Sequence, residues 1–272
     1  MKDLNLGLPK FEAFLDALGV PDSCLLNKPL YKKMFQEHAA LDARDKNALK
    51  DDVEKVRWLY TLKPSTINIA PHRDEQRDYG ELAILHIELT VTKQAERIGH
   101  FVNRAIPYPL IIFFTHPIGG EGSDNKDELA LCLADKRINK ADKEKWVIED
   151  LQLSPWIPLQ QPSSDEPTVV NQNFLSSLNI SALPSANFWQ LYQALISRLI
   201  ARQCAEVTGI YRLTNDADES QKNEYLCQYQ QTELAIKKLR AKIKKVEFSQ
   251  QVTLSTQIKQ QEKRLKQLTE LL

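Results

Sequence analysis

The sequence predicts an α+β protein. The expected order is a mixed β-sheet domain with N-terminal helices, then a helical extension, then a long C-terminal coiled-coil helix or helical hairpin. Three observations carry this. Pro109 to Thr115 is an apolar run, as a strand covered on both faces requires. Glu81 to Val91 (ELAILHIELTV) is rich in β-branched and aliphatic residues, and a helical pattern follows it at Lys93 to Ala105. From about Glu224 to Leu272 there is neither Gly nor Pro, and Lys, Gln, Glu and Leu dominate.

In chain order, Phe11, Phe14, Leu15 and Leu18 recur at steps of three and four, which predicts a helix from Pro9 stopped by Gly19. Pro29 is expected to open a short helix carrying Leu30, Met34 and Phe35. The next segment, LDARDKNALKDDVEKVRWLYTL, reads as one more helix. Asp42 is its N-cap, Leu49, Val53, Val56, Leu59 and Tyr60 its buried stripe, and Pro64 its limit. Thr66 to Ala70 alternates as a short strand does, with Ile67 and Ile69 on one side. On the helix of 93 to 105, Ala95, Ile98, Phe101, Val102 and Ala105 share a face. Glu128 to Ala134 and Lys145 to Leu153 read as further strands, and the Gly-rich stretch between Phe114 and Leu129 as an exposed loop.

Residues 158–173 are rich in Pro, Ser and Gln and read as a linker. The predicted organisation is therefore 1–157 for the sheet domain, 158–173 for the linker, 174–213 for a helical extension and 218–272 for the coil. Within the extension, Phe188 to Val207 carries a wide apolar stripe (Phe188, Leu191, Leu195, Ile196, Leu199, Ile200) and stops at Gly209.

In the tail, Ile236, Leu239, Ile243 and Val246 form a seam that resumes at Leu254, Ile258, Leu265 and Leu268 after one phase slip. Unbroken, such a helix would extend roughly 70 Å at 1.5 Å per residue. A bend between Phe248 and Thr256 would make it a hairpin. A thin seam needs company, since an isolated helix gains little beyond its own hydrogen bonds.

The chain's 36 Lys plus Arg balance 36 Asp plus Glu, which argues against a general polyanion binder. The balance is uneven, however. Residues 218–272 hold 11 cations and 7 anions, with the excess at Lys237, Lys238, Arg240, Lys242, Lys244 and Lys245. These lysines and arginine are either a solvated flank or contacts to phosphate or an acidic partner. The four cysteines (Cys24, Cys132, Cys204, Cys227) lack metal-ligand spacing and read as reduced thiols. With no secretory N-terminal pattern and no run near the ~20 residues of a membrane span, a cytoplasmic protein without a membrane partner is expected.

The sequence holds no GxxxxGK[ST], GxSxG, HExxH or GxGxxG. His38, His72, His86, His100 and His116 are widely spaced. His86 lies in an apolar strand and reads as a hydrogen-bonded structural histidine. His72, Arg73 and Asp74 read as a turn. A metal-dependent nuclease core would need carboxylates on adjacent strands, typically with a Glu-x-Lys. Glu81 and Glu88 lie on or beside a strand, but Lys93 is misplaced for that motif. No catalytic residue, metal ligand or cofactor is therefore assigned.

The segments LPKFEAFLDALG, KNALKDDVEKVRWLYTLKPSTINI, NRAIPYPLIIFF and LALCLADKRINKADKEKWVIED, with the tail KKLRAKIKKVEFSQQVTLSTQIKQQEKRLKQL, resemble an uncharacterised bacterial family, domain of unknown function 4391. The loop from His116 to Asp127 looks longer than in a typical member. The resemblance implies no catalytic residues. It does imply a setting, since members tend to be encoded near helicase and DNA-methyltransferase genes in restriction-like phage-defence loci. The expected function is then a non-enzymatic accessory subunit that assembles through its coil with the helicase or methyltransferase, or with itself. The alternatives are a nucleic-acid-binding module using the basic coil face, helped by Arg57, Trp58 and Lys63, and a degenerate Mg-dependent nuclease.

Overall fold

The β-branched and apolar runs of the first two-thirds form one seven-stranded mixed sheet. The structure is a computed structural model that describes residues 10–118, 126–139, 146–159, 166–213, 216–244 and 246–272. The chain divides into two units, Met1–Leu199 and Ile200–Leu272.

In the first unit the strands are β1 (Leu25–Pro29), β2 (Val53–Leu62), β3 (His72–Arg73), β4 (Asp78–Tyr79), β5 (Leu82–Leu89), β6 (Leu110–Ile118), β7 (Lys126–Ile138), β8 (Trp146–Leu153) and β9 (Ile157–Pro158). The sheet order is β1-β2-β5-β6-β7-β8, with β9 also pairing with β7, while β3 and β4 form a separate ribbon. Pairing is antiparallel except between β5 and β6, which run parallel. Parallel neighbours need a crossover, and α4 (Ala95–Ala105) supplies it.

The predicted double coverage of β6 is observed, since Leu110 to Phe114 are at most 2% exposed. Leu110, Ile112 and Phe114 join Leu85, Ile87, Ile98, Phe101 and Val102 in a cluster on the α4 side, together with Phe35 of α2 (Lys32–His38). Gly99 lets α4 approach β7 closely, because a Cβ there would stand 2.8 Å from Cys132 Sγ. On the other face, Ile111 and Phe113 meet Leu18 of α1 (Lys10–Leu18) and Leu195 of α6 (Phe188–Thr208). Gly19, at φ 69°, ends α1 as the sequence predicts. The sheet is thus the middle of three layers.

Four expectations are corrected. The helix read over 41–62 is helical only at its start. Asp42 does cap α3 (Ala43–Asn47) through a capping box with Asp45, but a π turn at Ala48–Asp52 then leads into β2. Register shifts at Val53/Lys55 and Trp58/Tyr60 explain the misreading. Each bulge adds a residue and resets the side-chain alternation. Val53, Val56, Leu59 and Leu62 are therefore buried at a period of three, which imitates a helix. Pro29 ends an unexpected edge strand, β1, which is exposed throughout and offers no alternation to read. Thr66 to Ala70 is no strand, because Thr66 Oγ1 closes a turn by accepting from Lys63 N. The stretch read as linker contains the start of α5 (Glu166–Ser177), whose Val170 and Phe174 are buried.

In the second unit the tail takes the hairpin alternative rather than one long coiled-coil helix. The continuous helix breaks after α7 (Asp216–Ile243), and α8 (Phe248–Leu271) lies beside it as the other arm of a hairpin. Leu226, Ile236, Leu254 and Leu268 are buried. Arg240 bonds Glu262 at 2.7 Å and Arg264 bonds Gln228 Oε1 at 2.7 Å, linking the arms. The break falls between Ile243 and Phe248, and the segment from Phe248 to Thr256 expected to bend is instead the first part of α8.

One charge lies deep in the first unit. Lys136 on β7 is fully buried, and its Nζ donates to the carbonyls of Ile106 and Tyr108, both at 2.8 Å, just beyond α4. Burial pushes its pKa down to about 7. The unfolded chain, with an ordinary lysine near 10.5, binds more protons between these two values. Stability should therefore rise with pH from 7 toward 10.5. The unfolding free energy from urea titrations should increase between pH 7 and 9 by on the order of 2 kcal/mol, and Lys136→Met should remove that slope. The buried Asp45 carboxylate receives Arg97 at 2.7 Å and Arg104 at 2.8 Å. Asp45→Ala should cost about 3 kcal/mol in urea denaturation, and a loss under 1 kcal/mol would show that clamp to be incidental.

Candidate functional site

The bulge between Val53 and Lys55 puts Lys55 and Arg57 on the sheet face opposite Val56, and cross-strand register then fixes their neighbours. Arg57 stands opposite His86 and Lys55 opposite Glu88 on β5, while Glu88 pairs in register with Thr115 on β6. On β1, Asn27 Oδ1 accepts from Arg57 Nη1 at 2.8 Å. Above these strands sits α1, with Phe11 stacked on the His86 ring at 4.1 Å between centroids. The space left under α1 is a cleft of about 720 Å³ lined by Glu12, Asp16, Asn27, Arg57, Tyr60, His86, Glu88, Thr115 and Asp127, with apolar walls from Phe11, Leu15, Leu25 and Leu59. It extends to the carboxyl ends of the parallel pair β5 and β6, where open sheets commonly hold ligands.

His86 is 8% exposed, and its Nε2 bonds Thr115 Oγ1 at 2.7 Å, as expected of a structural histidine. Its other ring nitrogen has no hydrogen-bond partner among the described residues. Burial first, then the charges of Arg57 and Lys55, push its pKa down to about 4, so it is neutral at pH 7. Lys55 Nζ lies 3.1 Å from Glu88. The lysine that the sequence fails to place two residues after Glu88 thus comes from the neighbouring strand. Glu81 pairs instead with Lys63 at 3.4 Å. His116 is tied to Glu128 at 3.0 Å and to the Thr90 carbonyl. Trp58 spends its N–H on Tyr60 O and Thr61 Oγ1, and of Arg57, Trp58 and Lys63 it is Arg57 that lines the cleft. Of the predicted turn, His72 and Arg73 instead form β3, and only Asp74 lies in the turn to β4, where it accepts from the backbone of Gln76 and Arg77. Among the described residues no three His, Cys, Asp or Glu are grouped to hold a metal ion.

The predicted tail residues are distributed unevenly. Of the seam, Ile236, Leu254 and Leu268 are buried, while Leu239, Ile243, Val246, Ile258 and Leu265 are half-buried. Lys237, Lys238, Arg240, Lys242 and Lys244 are exposed, and Lys245 lies outside the described residues. Glu12, Asp16, Asn27, Thr115 and Asp127 escaped sequence reasoning, because strand pairing across up to a hundred residues assembles them. The nearest local signal was the His-x-Glu spacing at 86 and 88, which puts both on one face of a strand.

The family model described as domain of unknown function (DUF4391) matches residues 18–265. No curated protein and no solved structure matches the chain. Among the described residues no helix is long and apolar enough to cross a membrane.

A histidine buried neutral is protonated on unfolding below its ordinary 6.5. His86 should therefore contribute a stability loss as pH falls from 6.5 toward 4. In NMR titrations its imidazole should not titrate between pH 8 and 5, and Arg57→Met should move its midpoint upward. A midpoint above 6 in the parent protein would contradict the buried, cation-flanked placement.

Proposed function

The chain belongs to the DUF4391 family, and within it we propose an accessory subunit that engages nucleic acid through the α7–α8 hairpin. One observation carries this reading. From Ile236 to Glu262 the sequence holds seven Lys or Arg against two Glu, and Lys237, Lys238, Arg240, Lys242, Lys244 and Lys259 are all exposed. These residues surround the turn of the hairpin, so the positive charge is gathered at one end. Phosphates are bound by clustered Lys and Arg that release counterions. Phe248 is the one aromatic residue in this stretch, which favours backbone contact over base stacking. The helicase–methyltransferase setting implied by the resemblance supplies a nucleic-acid substrate for such an arm.

A second reading, protein docking, has its own support. Leu234 and Val252 are 55% and 54% exposed, and several seam residues are only half covered by the opposite arm. A helicase or methyltransferase of the same locus, or a second copy, would complete that coverage. Substituting Gln at Leu234 and Val252 should then abolish capture of the partner while leaving DNA affinity intact.

For the first reading, fluorescence anisotropy with a short DNA duplex should show binding that weakens steeply with salt. Lys242→Glu with Lys244→Glu should weaken it at least tenfold and lower the salt slope by about 2. Absence of binding at low salt, or indifference to the charge reversals, would eliminate the nucleic-acid arm.

A further inference from the structure

The cleft beneath α1 is chemically distinct from the hairpin. Its lining combines Glu12, Asp16, Glu88 and Asp127 with Arg57, and Lys55 stands beside Glu88. A bare anion entering it meets four carboxylates. A bare amine meets a guanidinium and an ammonium. A ligand that carries both signs satisfies both sets.

Two further features point the same way. Arg57 spends Nη1 on Asn27, and a guanidinium has five N–H donors, so it keeps donors for a second acceptor. His86 is more than nine-tenths buried and lines the cleft, with one ring nitrogen held by Thr115 and the other without a partner among the described residues. The second nitrogen is thus left as a hydrogen-bonding group for a molecule in the cleft.

We propose that this cleft binds a phosphate ester together with a divalent cation, the cation on Glu88 and the phosphate held by Arg57 and Lys55, with His86 hydrogen-bonding the ester. Magnesium in phosphate sites takes one or two carboxylates from the protein and completes its shell with phosphate oxygens and water. It therefore does not require three protein ligands gathered in advance. Engaging the cation frees Lys55 from Glu88, so the ammonium passes to the phosphate as the metal arrives. The two ligands should bind cooperatively.

Isothermal titration of the full chain tests this with MnCl2 alone, thymidine 5′-monophosphate alone, thymidylyl-(3′→5′)-thymidine alone, and each nucleotide with Mn²⁺. At least one nucleotide should bind tenfold or more tightly when Mn²⁺ is present. Preference for the monophosphate assigns a terminal phosphate, and preference for the dinucleotide assigns an internal diester. Glu88→Gln should abolish the cation dependence, and Arg57→Met should lower nucleotide affinity at least tenfold. A measurement on the parent protein guards against variants that do not fold. In NMR spectra with nucleotide present, sub-stoichiometric Mn²⁺ should broaden the His86 and Thr115 signals first. Equal affinity with and without Mn²⁺ for both nucleotides, or first broadening outside the cleft, would overturn the proposal.

Discussion

The first unit depends on the parallel pairing of β5 with β6. Parallel neighbours cannot be joined by a tight turn, so the chain must leave the sheet, cross one face as α4 and return. That requirement buries β6 on both faces and fixes the composition of Leu110 to Phe114. At roughly 1.5–3 kcal/mol for each large side chain fully removed from water, this strand is a major source of the unit's stability. It also accommodates an unfavourable neighbour. Lys136 is held neutral or charged in the interior at a cost of a few kcal/mol, because the carbonyls of Ile106 and Tyr108, where the crossover turns back, need donors. An apolar residue there would leave those carbonyls to find other partners.

The crossover also determines where polar chemistry can collect. Strands flanked by packed helices have little room along their length, but at the carboxyl ends of β5 and β6 the layers part. Charged residues gather there at the cost of packing, and α1 covers them only partly. Arg57, His86 and Glu88 are poor choices for a purely structural sheet face. Burial first, then the charges of Arg57 and Lys55, hold His86 well below its ordinary protonation range, which an apolar residue at 86 would avoid. Such a local conflict with packing logic is characteristic of functional surfaces.

How much of this was legible in the sequence follows from which interactions are local. The helices α1, α4 and α6 and the strands β5 to β8 were readable, because burial on one face imposes a period that neighbouring residues share. β2 was not. Its two bulges make the buried positions recur every three residues, and only knowledge of β5 as its partner reveals a strand. The cleft was less legible still. Its members come from α1, β1, β2, β5, β6 and β7, and no spacing along the chain links Glu12 to Asp127. The lysine sought next to Glu88 along the sequence lies next to it across the sheet, at Lys55.

The tail shows the complementary case, in which a correct pattern permits two structures. A seam with a phase slip suits a long helix paired with another chain as well as a hairpin paired with itself. Connection length decides between them. Two arms joined by a few residues meet at an effective concentration that a separate chain reaches only at high dilution cost, so the intramolecular pairing forms first. The seam is thin, however, and one opposing helix covers it incompletely, leaving Leu234 and Val252 in solvent. Meanwhile the lysines that flank the seam repel one another around the turn, with two glutamates to offset seven cations. Self-repulsion of this kind opposes folding, and a solvated flank of mixed sign would have avoided it. An external polyanion relieves it, so the same residues that weaken the isolated hairpin strengthen the bound one.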